Sequence, residues 1–109
     1  MRTTVMGGGS WGTAFAMILA DAGGEVVLWA REPDIAEEIN RDHVNEKYHP
    51  GIALPHGIHA TADPVEALAD SELVVLAVPA QSLRENLAMW REHLAPGSVL
   101  VSLMKGIEI

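Results

Sequence analysis

The stretch Thr3-Thr4-Val5-Met6-Gly7-Gly8-Gly9-Ser10-Trp11-Gly12-Thr13-Ala14-Phe15-Ala16 decides how the rest of the chain is read. A short apolar run ends in clustered glycines, and an alanine-rich segment with helical spacing begins at once. That is the pattern of a strand, a tight turn and a helix. Gly7, Gly9 and Gly12 fit G-x-G-x-x-G, in which each glycine has its own steric task. The first lets the chain reverse, the second lets the backbone touch a pyrophosphate, and the third lets the helix lie close against the strand. A helix beginning near Ser10 aims its unbonded N–H groups and the positive end of its dipole at the phosphates. Any tight turn can be glycine-rich, so the flanking strand and helix carry the anion-binding reading. The Ser10 backbone and hydroxyl can then reach a phosphate oxygen. Trp11 is placed either to pack over the ligand or to join the core.

Outward from this turn, strand and helix signals alternate. Over residues 10–22, Trp11, Ala14, Phe15, Ile18 and Leu19 recur at steps of three and four, one stripe of an amphipathic helix that Gly23-Gly24 ends. Residues 25–30 are an apolar run of strand length, as expected for a parallel strand covered on both faces. Pro33 suits the first turn of a second helix, with Ile35, Ala36 and Ile39 on its buried side. Residues 40–57 break the rhythm and read as a long irregular connection, a type of loop that is usually functional. Residues 58–61 form a short strand. Asp63 can cap a brief helix, with Pro64 in its first position and Glu66 closing a capping box. Residues 73–78 and 99–103 are further strands, and Leu83, Leu87, Trp90 and Leu94 mark a helix over 81–94. The expectation is an α/β fold of Rossmann type: a parallel sheet in the order 3-2-1-4-5 with helices on both faces. Arg31, Pro79 and Lys105 follow strands and so share the carboxyl edge, where such sheets bind ligands.

The chain's 109 residues leave room for one domain with a modest core. A net charge of −8 leaves no basic face for a nucleic-acid backbone or an anionic membrane, so an anion must be held by backbone N–H groups and a few placed cations. With no cysteine there is neither disulfide nor thiolate chemistry, which fits a cytoplasmic protein. Glycines, Trp11 and Asp21 interrupt the apolar N-terminus before it can serve as a leader, and no stretch approaches the roughly 20 apolar residues that span a bilayer.

NAD-preferring domains end the second strand with Asp or Glu, which accepts from the ribose hydroxyls. Here Arg31 stands in that place. A guanidinium pairs with a 2′-phosphate and stacks on adenine, which favours NADPH over NADH; the plain alternative is a surface arginine paired with Glu32 or Asp34. Lys105, beside Gly106, can present its ammonium to a substrate phosphate or carbonyl, or can be an ordinary surface lysine. His56 and His59 tempt a metal reading, but no carboxylate or cysteine stands at a matching short spacing. A strand start between them splays the rings, so no metal is expected.

The blocks Gly7-x-Gly9-Ser10-Trp11-Gly12-Thr13-Ala14, Trp29-x-Arg31, Asn45-x-x-Tyr48-x-Pro50-Gly51, Ala77-Val78-Pro79-x-Gln81-x-Leu83-Arg84 and Ser102-x-x-Lys105-Gly106-Ile107-Glu108 occur in the order found in a known family. Along its whole length the chain resembles the N-terminal half of bacterial NAD(P)-dependent glycerol-3-phosphate dehydrogenase. The resemblance implies a cofactor that contacts Ser10, Trp11, Arg31 and Lys105, with Lys105 also touching the glycerol phosphate and Tyr48 lining the same cleft. It also implies reversible hydride transfer between NAD(P)H and dihydroxyacetone phosphate, giving sn-glycerol 3-phosphate for phospholipid synthesis. Gly8 replaces a common alanine, Ala80 a serine, and His49 an aliphatic residue.

Family members continue into a helical domain that supplies the catalytic lysine, most of the substrate pocket and much of the dimer contact. Residues 1–109 therefore read as one NAD(P)-binding domain, without catalytic residues of its own. Such a piece should bind cofactor weakly, turn nothing over, and self-associate as a homo-oligomer through surface meant for the rest. Two rivals remain open. A nucleotide-sensing module without chemistry would keep an acidic residue where Arg31 stands. A fold binding S-adenosylmethionine would need that acid too, and would not require Gly12.

Overall fold

In the computed structural model, which describes residues 2–7, 9–77 and 80–102, the central strand is the one that leads into the glycine turn. β1 (Arg2–Met6) pairs in parallel with β2 (Glu25–Trp29) on one side and with β6 (Leu73–Leu76) on the other. β5 (Ile58–Thr61) lies outside β2, and β7 (Val99–Ser102) outside β6. The sheet order is β5-β2-β1-β6-β7. Counting only these five strands along the chain, it is the expected 3-2-1-4-5. The chain steps from β1 to β2 and β5 on one side, then returns past β1 to β6, so the order reverses beside the glycine turn.

Alternation along the strands divides the core by face. Val5, Val26, Leu28 and Val75 point to one side, where they pack with Ala16 of α1 (Ser10–Asp21) and with Ile35, Ala36 and Ile39 of α2 (Pro33–Asp42). Met6, Val27, Trp29, Val74 and Leu76 point to the other, against Ala67 and Leu68 of α3 (Pro64–Leu68) and Trp90 of α4 (Ala80–Trp90). Residues 26–29 and 73–76 are continuous apolar runs because both faces of the sheet are covered there. Trp29 and Trp90 meet edge to face with ring centroids 5.2 Å apart, and Trp29 Nε1 donates to the Ala62 carbonyl at 2.9 Å. The indole is thus buried without leaving a donor unmet.

Four local expectations are corrected. In α1 the buried residues are Gly12, Thr13 and Ala16; of the expected stripe, Phe15 and Leu19 pack partly buried against the first core, while Trp11 and Ile18 are 68% and 65% exposed. The helix is apolar nearly all round, so spacing alone cannot choose a face, and small residues win the side nearest the sheet. The connection over 40–57 is not irregular throughout: α2 runs to Asp42, and β3 (Val44–Asn45) pairs antiparallel with β4 (His49–Ala53) in a separate hairpin. Glu66 does not close a capping box. The Asp63 N–H donates to Thr61 Oγ1 at 3.1 Å, and Glu66 instead faces His59 at 3.7 Å. Asp63 itself caps α3 through Val65 N–H at 2.9 Å, a contact worth about 1 kcal/mol. Lastly, α4 stops at Trp90 and a short 3-10 turn over Arg91–His93 completes the segment, with Leu94 packed against the second core.

Expectations that fall on Gly8, Val78, Pro79 and Lys105 lie outside the described residues.

Candidate functional site

The junction of β1 and α1 is shaped by contacts that exclude side chains at two of its glycines. Gly7 has φ +138°, a backbone conformation that L side chains rarely adopt, and a Cβ there would lie 2.6 Å from the Ala77 carbonyl oxygen. Its N–H donates to the Trp29 carbonyl at 3.0 Å, while Ala77 N–H donates to the Met6 carbonyl at 3.0 Å. The turn is therefore wedged between the ends of β2 and β6. A Cβ on Gly12 would overlap the Gly7 carbonyl oxygen and sit 2.9 Å from its carbon, so α1 starts in contact with the turn. Gly9 is different: a Cβ built on it meets nothing within 4 Å. The sterics that forbid a side chain at Gly7 and Gly12 are internal, whereas at Gly9 the open space lies outside the protein.

Gly9 is also the N-cap of α1, with extended backbone and no side-chain cap, and the first turn holds no acidic residue. Thr13 N–H bonds back to the Gly9 carbonyl at 3.0 Å, which leaves the N–H groups of Ser10, Trp11 and Gly12 ahead of the first intrahelical bond. Partial positive charge thus converges on the open side of the turn. Trp11 stands beside it as a solvent-facing indole rather than a core residue.

Arg31 follows the adjacent strand end, since Met6 is in register with Trp29. Its side chain is exposed, and no ion pair joins it to another described residue. Glu32, one of the partners that would have made it an ordinary surface pair, is bonded to Lys47 Nζ at 2.9 Å. The bond and charge of Glu32 hold the Lys47 ammonium above its usual pKa.

Tyr48 lies in the tight turn of the β3–β4 hairpin, partly exposed, with its N–H donating to the Asn45 carbonyl at 3.2 Å. Two contacts seat this hairpin on the start of α1. His49 Nε2–H donates to the Ser10 carbonyl at 2.8 Å, and the buried Asn45 Nδ2 donates to Thr13 Oγ1 at 3.0 Å. Gly7, Gly9, Ser10, Trp11, Gly12, Arg31 and the hairpin bearing Tyr48 are thereby gathered at one corner of the sheet's carboxyl edge. The anchoring roles of Asn45, Lys47 and His49 have no signal in spacing, because β3 has two residues and β4 contains Pro50 and Gly51. The histidines diverge: His56 stacks on His43 with centroids 4.0 Å apart, while His59 faces Glu66.

A family described as NAD-dependent glycerol-3-phosphate dehydrogenase N-terminus matches residues 2–109. The chain belongs to this family. It is 57% identical over 109 residues to a glycerol-3-phosphate dehydrogenase [NAD(P)+] of Streptomyces griseus, covering all of this chain and 32% of that protein. Among solved structures, the glycerol-3-phosphate dehydrogenase of Plasmodium falciparum superposes with a TM-score of 0.86 at 29% identity, over 94% of this chain and 31% of that one. The enzyme of the same name from Coxiella burnetii gives 0.86 at 28%, over 93% and 31%. The chain thus spans about a third of the length of the relatives it matches. No helix among the described residues is long and apolar enough to cross a membrane.

Proposed function

We propose that residues 1–109 are the cofactor-holding part of an enzyme that moves a hydride between NAD(P)H and dihydroxyacetone phosphate, interconverting it with sn-glycerol 3-phosphate in the cytoplasm. The observation that carries the reading is the glycine turn: side chains are excluded internally at Gly7 and Gly12, while Gly9 faces open space in front of a helix N-terminus. A pyrophosphate fits such a cradle by charge and by shape. In this reading the backbone of Gly9, Ser10, Trp11 and Gly12 holds the phosphates, Arg31 pairs with a 2′-phosphate, and Trp11 and Tyr48 flank the ligand. Lys105 contributes a cation to cofactor and substrate. The nicotinamide, when bound, supplies or accepts the hydride. This part orients it, and the general base belongs to another part of the enzyme.

Calorimetric titration with NADPH, NADH and S-adenosylmethionine tests the reading. Binding of NADPH, tighter than NADH, is expected, with no heat from S-adenosylmethionine. Binding of S-adenosylmethionine alone would replace the reading with a methyl-transfer one. Equal affinity for the two nicotinamide cofactors would remove the role given to Arg31.

Homo-oligomerisation belongs to the same proposal. Val99, Leu100 and Val101 of β7 are all exposed, and neither core cluster includes them. Among the described residues β7 has a strand on one side only. An apolar edge of this kind recruits another chain. Light scattering on the 109-residue chain should show a mass that rises with concentration, and a constant monomer mass at high concentration would count against it.

A further inference from the structure

Two residues of opposite charge meet beside Arg31. Glu32 follows it directly and is the N-cap of α2, where its carbonyl accepts from Ile35 and Ala36 N–H at 3.1 and 3.3 Å while its side chain caps nothing. Its carboxylate is held instead by Lys47 Nζ at 2.9 Å, a residue 15 positions further on in the hairpin turn. That turn is a built element. Gly51 N–H donates to Glu46 Oε2 at 2.9 Å, Glu46 N–H to Glu38 Oε1 at 3.0 Å, and His49 is fixed on the Ser10 carbonyl. The bond to Glu32 and its charge hold the Lys47 ammonium above its usual pKa.

A carboxylate just past the second strand recognises a ribose hydroxyl in NAD-preferring sites and repels a 2′-phosphate. This chain carries both signals in tandem, Arg31 for the phosphate and Glu32 against it. We propose that Lys47 decides between them, as a specificity-determining residue that occupies and neutralises Glu32 and leaves Arg31 to set the cofactor preference. Lys47 acts through Glu32 and is a positioning residue rather than a ligand of the phosphate. Both side chains are about half exposed, so the pair adds little to folding. Its effect is on the sign of the potential where the adenosine ribose would lie. The inference rests on the NADPH reading of Arg31.

The test compares dissociation constants for NADPH and NADH across wild type, Lys47→Met, Glu32→Gln and the double variant, at low and at physiological salt. Lys47→Met should lose about three- to tenfold in NADPH affinity, with NADH unchanged or slightly tighter, and the loss should shrink as salt rises. Adding Glu32→Gln should restore NADPH binding. An unchanged NADPH/NADH ratio in Lys47→Met overturns the proposal and leaves the role of Arg31 standing. A loss that Glu32→Gln does not rescue overturns it as well, because Lys47 would then touch the phosphate itself. A wild-type chain without preference for NADPH overturns both the reading of Arg31 and this inference.

Discussion

Gly12→Ala should be strongly damaging to the fold, and Gly9→Ala, three residues away, one of the mildest changes among the described glycines. At position 12 the new methyl collides with the Gly7 carbonyl, which is backbone on both sides of the contact and cannot swing aside. Relief requires either lifting α1 off the sheet or displacing the turn. Overpacking of this kind costs about 3 kcal/mol, from which roughly 1 kcal/mol of improved helix propensity is recovered. A net loss of about 2 kcal/mol corresponds to a fall in melting temperature on the order of 10 °C for a domain of this size. Cofactor affinity should fall with it, by more than about tenfold, because the displaced turn is the proposed phosphate cradle. Gly9→Ala meets nothing inside the protein and should cost less than about 1 kcal/mol of stability. Its methyl nonetheless enters the space proposed for the pyrophosphate, so NADPH binding should drop while the melting temperature barely moves. Thermal unfolding and titration of the two variants separate the roles. A wild-type melting temperature in Gly12→Ala would contradict the packing described here, and undiminished affinity in Gly9→Ala would contradict the cradle.

Arg31→Ala should abolish the preference for NADPH and leave the fold intact. The residue is exposed, and no described group pairs with it, so nothing in the native structure is broken by its removal. A charge-assisted pair between guanidinium and phosphate is worth about 1.5–3 kcal/mol, which is roughly ten- to a hundredfold in affinity. NADH lacks the phosphate and should change by less than about threefold, through lost stacking on adenine alone. Dissociation constants for both cofactors, with a melting curve to verify folding, decide the matter. Retention of the NADPH preference would sink the assignment.

These two residues also mark how far the sequence can be read. The glycine turn was legible because its signal is local: each glycine answers a backbone requirement a few residues away. The strands were legible for a related reason, most clearly in the continuous apolar runs over residues 26–29, 73–76 and 99–101, and the parallel order follows from their alternation with helices. The inward face of α1 was not, because a helix apolar nearly all round has no unique stripe, and the choice fell to the close approach at Gly12 and Ala16. The hairpin was hidden by its own brevity. Asn45, Lys47 and His49 draw their significance from partners 15 to 39 positions away, at Glu32, Thr13 and Ser10, and no periodicity encodes that. Glu66 shows the converse error: a capping-box spacing was present, but Thr61 had already taken the N–H that Glu66 would have bonded.

The placement of the three tryptophans has an optical consequence. Trp29 and Trp90 form a buried edge-to-face pair on the α3–α4 side of the sheet, while Trp11 stands in solvent at the start of α1 on the other. Their emission therefore divides by location: a blue-shifted component reports the packing of one core, and a red-shifted one reports the polarity around the glycine turn. The molecule carries a separate built-in probe for its folding and for whatever settles on its glycine turn.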